Sequence, residues 1–114
     1  MPDIPTTDIK SDMPTAEQAV RRAGGVLATA RVTGAPAVKI IHGYGSTGAG
    51  GRIRTEVRKY LNEQLRLGKA RAVIPGEDFT IFNEGTLKAF SLCPALRGDS
   101  DLNRYNNGVT IVVL

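Results

Sequence analysis

Residues 37–51 read AVKIIHGYGSTGAGG, and this stretch decides the fold. Its first part is mostly apolar and β-branched, which predicts a short buried strand that ends at His42. Five glycines among the nine residues 43–51 exclude regular structure and predict a loop. Residues 52–67 then place apolar side chains at helical spacing, and Gly68 supplies a stop. The stretch therefore predicts a strand, a glycine-rich loop and a helix in direct succession.

Upstream of this stretch, the sequence predicts one more strand and one more helix. Residues 6–10 indicate a short strand, and Thr15 with Gln18 three residues later forms a capping box that opens a helix. A glycine pair at 24–25 inside this helix indicates close approach of its face to a sheet. The helix ends near Gly34, just before the strand that leads to His42.

Downstream of the second helix, the pattern predicts a third strand, an irregular segment and a final strand. The predicted elements are a strand over 70–74, an edge strand over 79–82 and a helix over 84–92 within an enlarged segment 77–105, and a turn at 106–108 before a strand over 109–114.

This element order predicts an α/β fold. Alternating strands and helices favour a small two-layer sandwich with a mixed, mainly parallel sheet, ordered β-α-β-α-β, then an irregular insert, then a final β-strand. Residues 1–5 are expected to be a flexible lead-in, and 6–114 a single domain.

Composition restricts the class of protein. Cys93 is the only cysteine, which excludes an internal disulfide and a thiolate metal cluster. The apolar runs are too short to span a membrane and the first residues do not resemble a signal peptide, so we expect a cytoplasmic protein without membrane contact. The net charge is +4, but residues 39–71 alone hold eight basic and two acidic residues. This local excess is typical of a surface that binds a polyanion, and also of a solvated helix face.

The glycine loop has the chemistry of an oxyanion site. Glycines let several backbone N–H groups approach one anion, and the following helix adds unpaired N–H groups at the positive end of its dipole. Residues 43–48 match the dinucleotide pattern GxGxxG, but no acidic residue follows at a strand end at the expected distance, and the P-loop Lys is missing. The predicted phosphate-binding residues are Gly43, Tyr44, Gly45, Ser46, Thr47, Gly48, Gly50, Gly51, Arg52 and Arg54, joined by Lys10 and Arg58.

Three segments together resemble the Smr (small MutS-related) domain family. Residues 38–46, VKIIHGYGS, with RIR at 52–54, resemble its HGxG motif and following helix. NGVTIVVL at 107–114 resembles its closing glycine turn and strand, and TDI at 7–9 resembles its opening LDxH strand. The resemblance implies an α/β sandwich that binds DNA or RNA, and several family members nick DNA or cleave RNA. Here Lys10 stands where the family has its first-motif His.

His42 and Asp8 are the candidate catalytic residues. His42 could transfer a proton to the reacting phosphodiester or hold the loop in shape, and Asp8 could orient His42, act as a base or be a solvated carboxylate. A nuclease would raise the further expectation of Mg²⁺ or Mn²⁺. The alternatives are a non-catalytic nucleic-acid-binding module, which Lys10 favours, and a site for a nucleotide or phosphorylated metabolite. Tyr44 could stack on a base or fold over the sheet edge.

Overall fold

A computed structural model describes residues 4–44 and 49–114 of the chain. In chain order its elements are β1 (Thr6–Asp8), α1 (Ala16–Thr33), β2 (Ala37–Ile41), α2 (Ala49–Arg66), β3 (Ala72–Pro75), a 3₁₀ helix (Gly76–Asp78), α3 (Glu84–Leu92), a second 3₁₀ helix (Pro94–Gly98) and β4 (Val109–Val113).

The four strands form one mixed sheet in the order β1-β2-β4-β3. β1 pairs parallel with β2, whereas β4 lies antiparallel between β2 and β3. Three strands therefore point the same way, and the predicted α/β sandwich with a mixed sheet is confirmed. The ends of β1, β2 and β3 meet the start of β4 at one edge, which we call the carboxyl edge.

The helix α1 begins and ends where the sequence predicts. The Thr15 side chain accepts from the Gln18 N–H, and the Gln18 side chain accepts from the Thr15 N–H, so the capping box is complete. Gly34 ends the helix in the left-handed conformation. A Cβ at Gly24 would lie 3.1 Å from the Tyr60 hydroxyl. The close approach at Gly24 is therefore to α2 rather than to the sheet.

The first face of the sheet is covered by α1 and α2. Small side chains of α1, such as Ala19 and Ala23, are fully buried and let α2 pack closely. From α2, Val57 and Leu61 are fully buried in the same core. This burial of apolar area is the main stabilisation of the α-β-α unit.

The second face is covered by residues of the enlarged segment. Phe90 of α3 packs edge-on against Phe79 with ring centroids 6.1 Å apart, and Cys93 and Leu96 are buried beside them. The predicted helix over 84–92 is confirmed. This covering adds a layer that the two-layer prediction did not include.

The predicted edge strand over 79–82 is wrong. The Phe79 and Thr80 N–H groups donate to Gly76 and Asp78, so this part of the backbone forms successive turns. The sequence suggested a strand because Phe79 is apolar, but this side chain is fully buried in the core without its backbone pairing with the sheet. None of the described helices combines the length and the hydropathy that a membrane span needs.

Candidate functional site

His42 lies at the carboxyl edge directly after β2, and it is only 1% exposed. Its Nδ1 lies 2.9 Å from the Gly43 carbonyl oxygen, and its Nε2 lies 2.8 Å from the Thr110 hydroxyl. Because a carbonyl oxygen can only accept, we assign the ring proton to Nδ1, which leaves Nε2 to accept from Thr110. Both ring nitrogens are therefore occupied within the fold.

Arg58 of α2 continues this network. Its Nε donates to the Thr110 hydroxyl at 3.1 Å, and its two terminal nitrogens donate to Glu77 at 2.8 and 2.6 Å. Further hydrogen bonds reach the carbonyl oxygens of Asn107 and Val109. Arg58 is therefore held by the protein itself, and the predicted phosphate contact from this side chain is not supported. Glu77 lies 19 positions along the chain, a separation that helical periodicity does not reveal.

These surroundings keep His42 neutral. The pKa of His42 is lowered to about 4, mainly by burial and also by the nearby positive charges of Arg58 and Arg54, against the opposing effects of the hydrogen bond to Gly43 and the charge of Glu77. Burial alone would raise the pKa of Glu77, but the hydrogen bonds from Arg58 hold it below its usual value. Near pH 7 the network therefore holds a neutral imidazole beside a charged ion pair.

Gly43 has a positive φ of 83°, and its N–H donates to the Gly108 carbonyl oxygen at 3.0 Å. The His42 N–H donates to the same oxygen at 3.0 Å. These two amides are satisfied by the turn before β4, so Gly43 does not supply the oxyanion donor that the sequence predicts. A Cβ at Gly43 would also lie 2.9 Å from Cδ of Lys10. This close contact is a second reason, besides the positive φ, why the position requires glycine.

Asp8 and Lys10 lie at the same edge, since Asp8 pairs with Ile41 across the β1–β2 ladder. An Asp8 oxygen accepts the Lys10 N–H at 2.8 Å, and the other carboxylate oxygen lies 3.3 Å from Lys10 Nζ. Burial would raise the pKa of Asp8, but these bonds from Lys10 outweigh it and lower the pKa. The structure thus brings Asp8, Lys10 and His42 to one edge of the sheet. Asp8 is hydrogen-bonded to Lys10, however, and the His42 ring nitrogens are hydrogen-bonded to Gly43 and Thr110.

The glycine loop is shorter than the sequence predicts. α2 begins at Ala49, three residues before the predicted start, so Gly50 and Gly51 belong to its first turn. The first N–H groups of a helix have no partner within it, which is the feature that anion sites exploit. The predicted contacts from Gly45, Ser46, Thr47 and Gly48 lie outside the described residues.

A shallow, open groove lies along the exposed side of α2, between the side chains of the helix itself. Arg52 is exposed at the start of the helix, and Arg54 and Lys59 line the groove. Arg66 forms an ion pair with Glu63 on the helix surface. The remaining residues that line the groove are Thr55, Arg58 and Asn62. We call Arg54, Lys59 and Arg66 the basic face of α2.

A second buried ion network escapes sequence reasoning. Lys39 of β2 is directed to the second face, where its Nζ lies 2.9 Å from Asp99 and 2.6 Å from Asp101. Burial alone would lower the pKa of Lys39, but the hydrogen bonds from Asp101 and Asp99 raise it. A lysine inside an otherwise apolar strand is a signal that acidic partners lie elsewhere in the chain. Its charge is thus neutralised and unavailable to a ligand.

Metal binding remains a prediction tied to nuclease activity. Across residues 4–44 and 49–114, no three His, Cys, Asp or Glu side chains lie together as ligands of one ion would. Asp8, the carboxylate of the predicted cleavage centre, is engaged with Lys10.

Comparison with known proteins gives one match. The family model of the Smr domain matches residues 12–78, which is more than half of the chain. No curated protein and no solved structure matches this chain. The matched region runs from the turn before α1 through the HGxG segment to the end of the first 3₁₀ helix. Smr domains are in general nucleic-acid-binding or endonuclease-type domains. This chain belongs to the Smr domain family.

Proposed function

We propose that this Smr domain binds DNA or RNA through backbone phosphate, and that the basic face of α2 carries the contact. The observation that supports it most is the groove along α2, whose only acidic residue among those lining it, Glu63, is paired with Arg66. A polyanion that follows this groove meets both Arg54 and Lys59, which are five residues apart along the helix.

The charges of the basic segment divide into two groups. Lys39 and Arg58 are neutralised by carboxylates inside the fold. Within the part of the chain that the structure describes, Arg52, Arg54 and Lys59 form no ion pair with a carboxylate. These three side chains lie on about the first three turns of α2, toward the carboxyl edge. Lys69 and Arg71, which also form no ion pair among the described residues, lie between α2 and β3 at the opposite edge of the sheet.

The geometry favours binding over cleavage through His42. A general acid or base near neutral pH needs a pKa close to the working pH and a free ring nitrogen, whereas His42 has a pKa of about 4 and bonds through both nitrogens. We therefore assign His42 to the scaffold that fixes the turn at Gly43. Since Cys93 is a lone, buried cysteine, we place the protein in a reducing compartment such as the cytoplasm.

A salt titration tests the binding surface. For phosphate contacts, the logarithm of the binding constant falls linearly with the logarithm of salt, and each lost contact lowers the slope by about 0.7–0.9. Arg54→Ala and Lys59→Ala are each expected to reduce the slope by about that amount. Lys88→Ala removes an exposed lysine of α3 on the other side of the sheet and is the matched control. An equal loss from Lys88→Ala, or salt-insensitive binding, would contradict the proposed surface.

A cleavage assay tests the scaffold role of His42. Supercoiled plasmid and structured RNA are incubated with the protein in the presence of Mg²⁺ or Mn²⁺ and without them. We expect both substrates to stay intact. Metal-dependent cleavage that disappears both in Asp8→Asn and in His42→Gln would establish the predicted cleavage centre instead.

A further inference from the structure

A small depression lies at the carboxyl edge, beside the HGxG turn. Its volume is about 190 Å³, below the roughly 300–1,000 Å³ of pockets that hold drug-sized ligands. Ile41 and Val109 contribute apolar surface, and Asp101 and Asn106 contribute polar groups. A space of this size and lining suits a single planar ring system that carries hydrogen-bonding groups.

Tyr44 supplies an aromatic wall to this depression. The residue is 60% exposed, and two of its ring carbons lie 3.2 and 3.3 Å from the point that a Cβ at Gly108 would occupy. The ring therefore rests against the Gly108 backbone while most of its surface stays open to solvent. An aromatic side chain seated in this way loses little further freedom when a second ring stacks on it.

The charges around the depression disfavour a phosphate there. Asp101 belongs to the buried group with Lys39 and Asp99, which carries one positive and two negative charges. Lys10 also lines the depression, but its ammonium lies 3.3 Å from the Asp8 carboxylate. With no excess of positive charge, the depression favours a neutral ring with N–H donors, whereas phosphate belongs on the basic face of α2.

We propose that this depression receives one unpaired nucleobase of the bound strand, stacked on Tyr44. The inference rests on the proposed function and specifies its substrate: single-stranded or bulged nucleic acid rather than a continuous duplex. A duplex keeps its bases stacked and paired, so it offers phosphates to α2 and no ring to Tyr44. Stacking on an aromatic side chain is tolerant of base identity, which predicts a structural preference with little sequence preference.

The test compares three probes of equal length: a single strand, a perfect duplex, and a duplex with one bulged base. The single strand and the bulged duplex are expected to bind more tightly than the perfect duplex. Tyr44→Ala should weaken binding of those two by about 5- to 100-fold and leave perfect-duplex binding within about twofold. Tyr44→Phe keeps the ring and should bind as the wild type does. Phe82→Ala removes an aromatic side chain that lies outside the depression and is even more exposed, at 85%, and it is the control.

A fluorescent base locates the stacking directly. The probe is the bulged duplex with 2-aminopurine at the bulge, whose emission changes when the base stacks. The emission should change on addition of wild type, Tyr44→Phe or Phe82→Ala, and stay unchanged with Tyr44→Ala added at saturating concentration.

The outcomes separate this inference from the proposed function. Salt-dependent binding that is equal for all three probes and insensitive to Tyr44→Ala would overturn the inference and leave the proposed function standing. If the wild-type protein binds none of the three probes, the proposed function is overturned. Binding of free nucleosides that is as tight as binding of the strands, insensitive to salt and dependent on Tyr44, would make the depression a small-molecule site and overturn the strand assignment.

Discussion

Each face of the sheet holds a cation that is bound by carboxylates of the enlarged segment, and this cation is half-buried on the first face and buried on the second. On the first face Arg58 meets Glu77, and on the second face Lys39 meets Asp99 and Asp101. The second group is the more deeply buried, since the Lys39 side chain is 7% exposed and its partners 9% and 17%, against 18% for Arg58 and 38% for Glu77. The comparison shows that a basic residue in this chain can serve as an anchor for the fold, so the local excess of positive charge in the sequence overstates the charge that is open to a ligand.

The largest expected effect is on the second face. Lys39→Met leaves two buried carboxylates facing each other without a counter-charge, which costs about 3–5 kcal/mol of unfolding free energy. Arg58→Met should cost less, about 1–3 kcal/mol, because Glu77 can turn toward water. Urea unfolding followed by circular dichroism measures both. Equal losses, or a larger loss for Arg58→Met, would remove the difference between the faces.

The next largest expected effect is a pH dependence of the unfolding free energy, which arises from His42. The folded chain binds a proton at His42 only near pH 4, whereas the unfolded chain binds it near pH 6.5. Stability should therefore fall as the pH drops from 6.5 toward 4, by about 2–4 kcal/mol in total, and this contribution is fully present above pH 6.5. Because the pKa values of Asp8, Glu77 and Asp101 are lowered, these carboxylates change stability only below about pH 4.5. The change in stability above that pH therefore reports on His42.

Two measurements check this pH dependence. His42 is the only histidine, so its ring protons report one titration by NMR. Unfolding at pH 5, 6 and 7 should show a slope in the wild type that is absent in His42→Gln. An NMR titration midpoint near 6.5 would show that the imidazole is not held neutral by the network.

The smallest expected effects on stability come from two glycine substitutions, one at the turn before β4 and one in α1. A Cβ at Gly76 would overlap the Asn106 carbonyl oxygen and lie 2.6 Å from Cγ2 of Val109, so Gly76→Ala should cost about 1–3 kcal/mol by displacing the turn before β4. At Gly25 nothing lies within 4 Å of the added Cβ. Gly25→Ala should thus stabilise the helix by about 0.5–1 kcal/mol. Thermal unfolding compares the two, and a stable Gly76→Ala would show that the turn is not tightly packed there.

Sequence reasoning succeeded where the signals are local. The capping box at Thr15, the left-handed stop at Gly34 and the helix over 84–92 each depend on residues within a few positions of one another. The family could be identified from the HGxG stretch because that motif is contiguous, and the family match confirms it.

The parts that sequence reasoning missed depend on distant partners. Lys39 meets Asp99 60 positions away and Arg58 meets Glu77 19 positions away, and no periodicity links such pairs. The Gly43 amide is satisfied by Gly108, which a glycine-rich pattern alone does not show. A single sequence therefore indicated that Asp8, Lys10 and His42 come to one edge of the sheet, and overstated how many of the donors there are free.

The most direct test of the account is a map of backbone amide chemical shifts on addition of a bulged oligonucleotide at low salt. We expect changes along α2 around Arg54 and Lys59 and at Tyr44, reversed by raising the salt concentration, with α3 unaffected. Changes confined to α3, or no changes along α2, would contradict the claim that this helix binds the phosphate backbone.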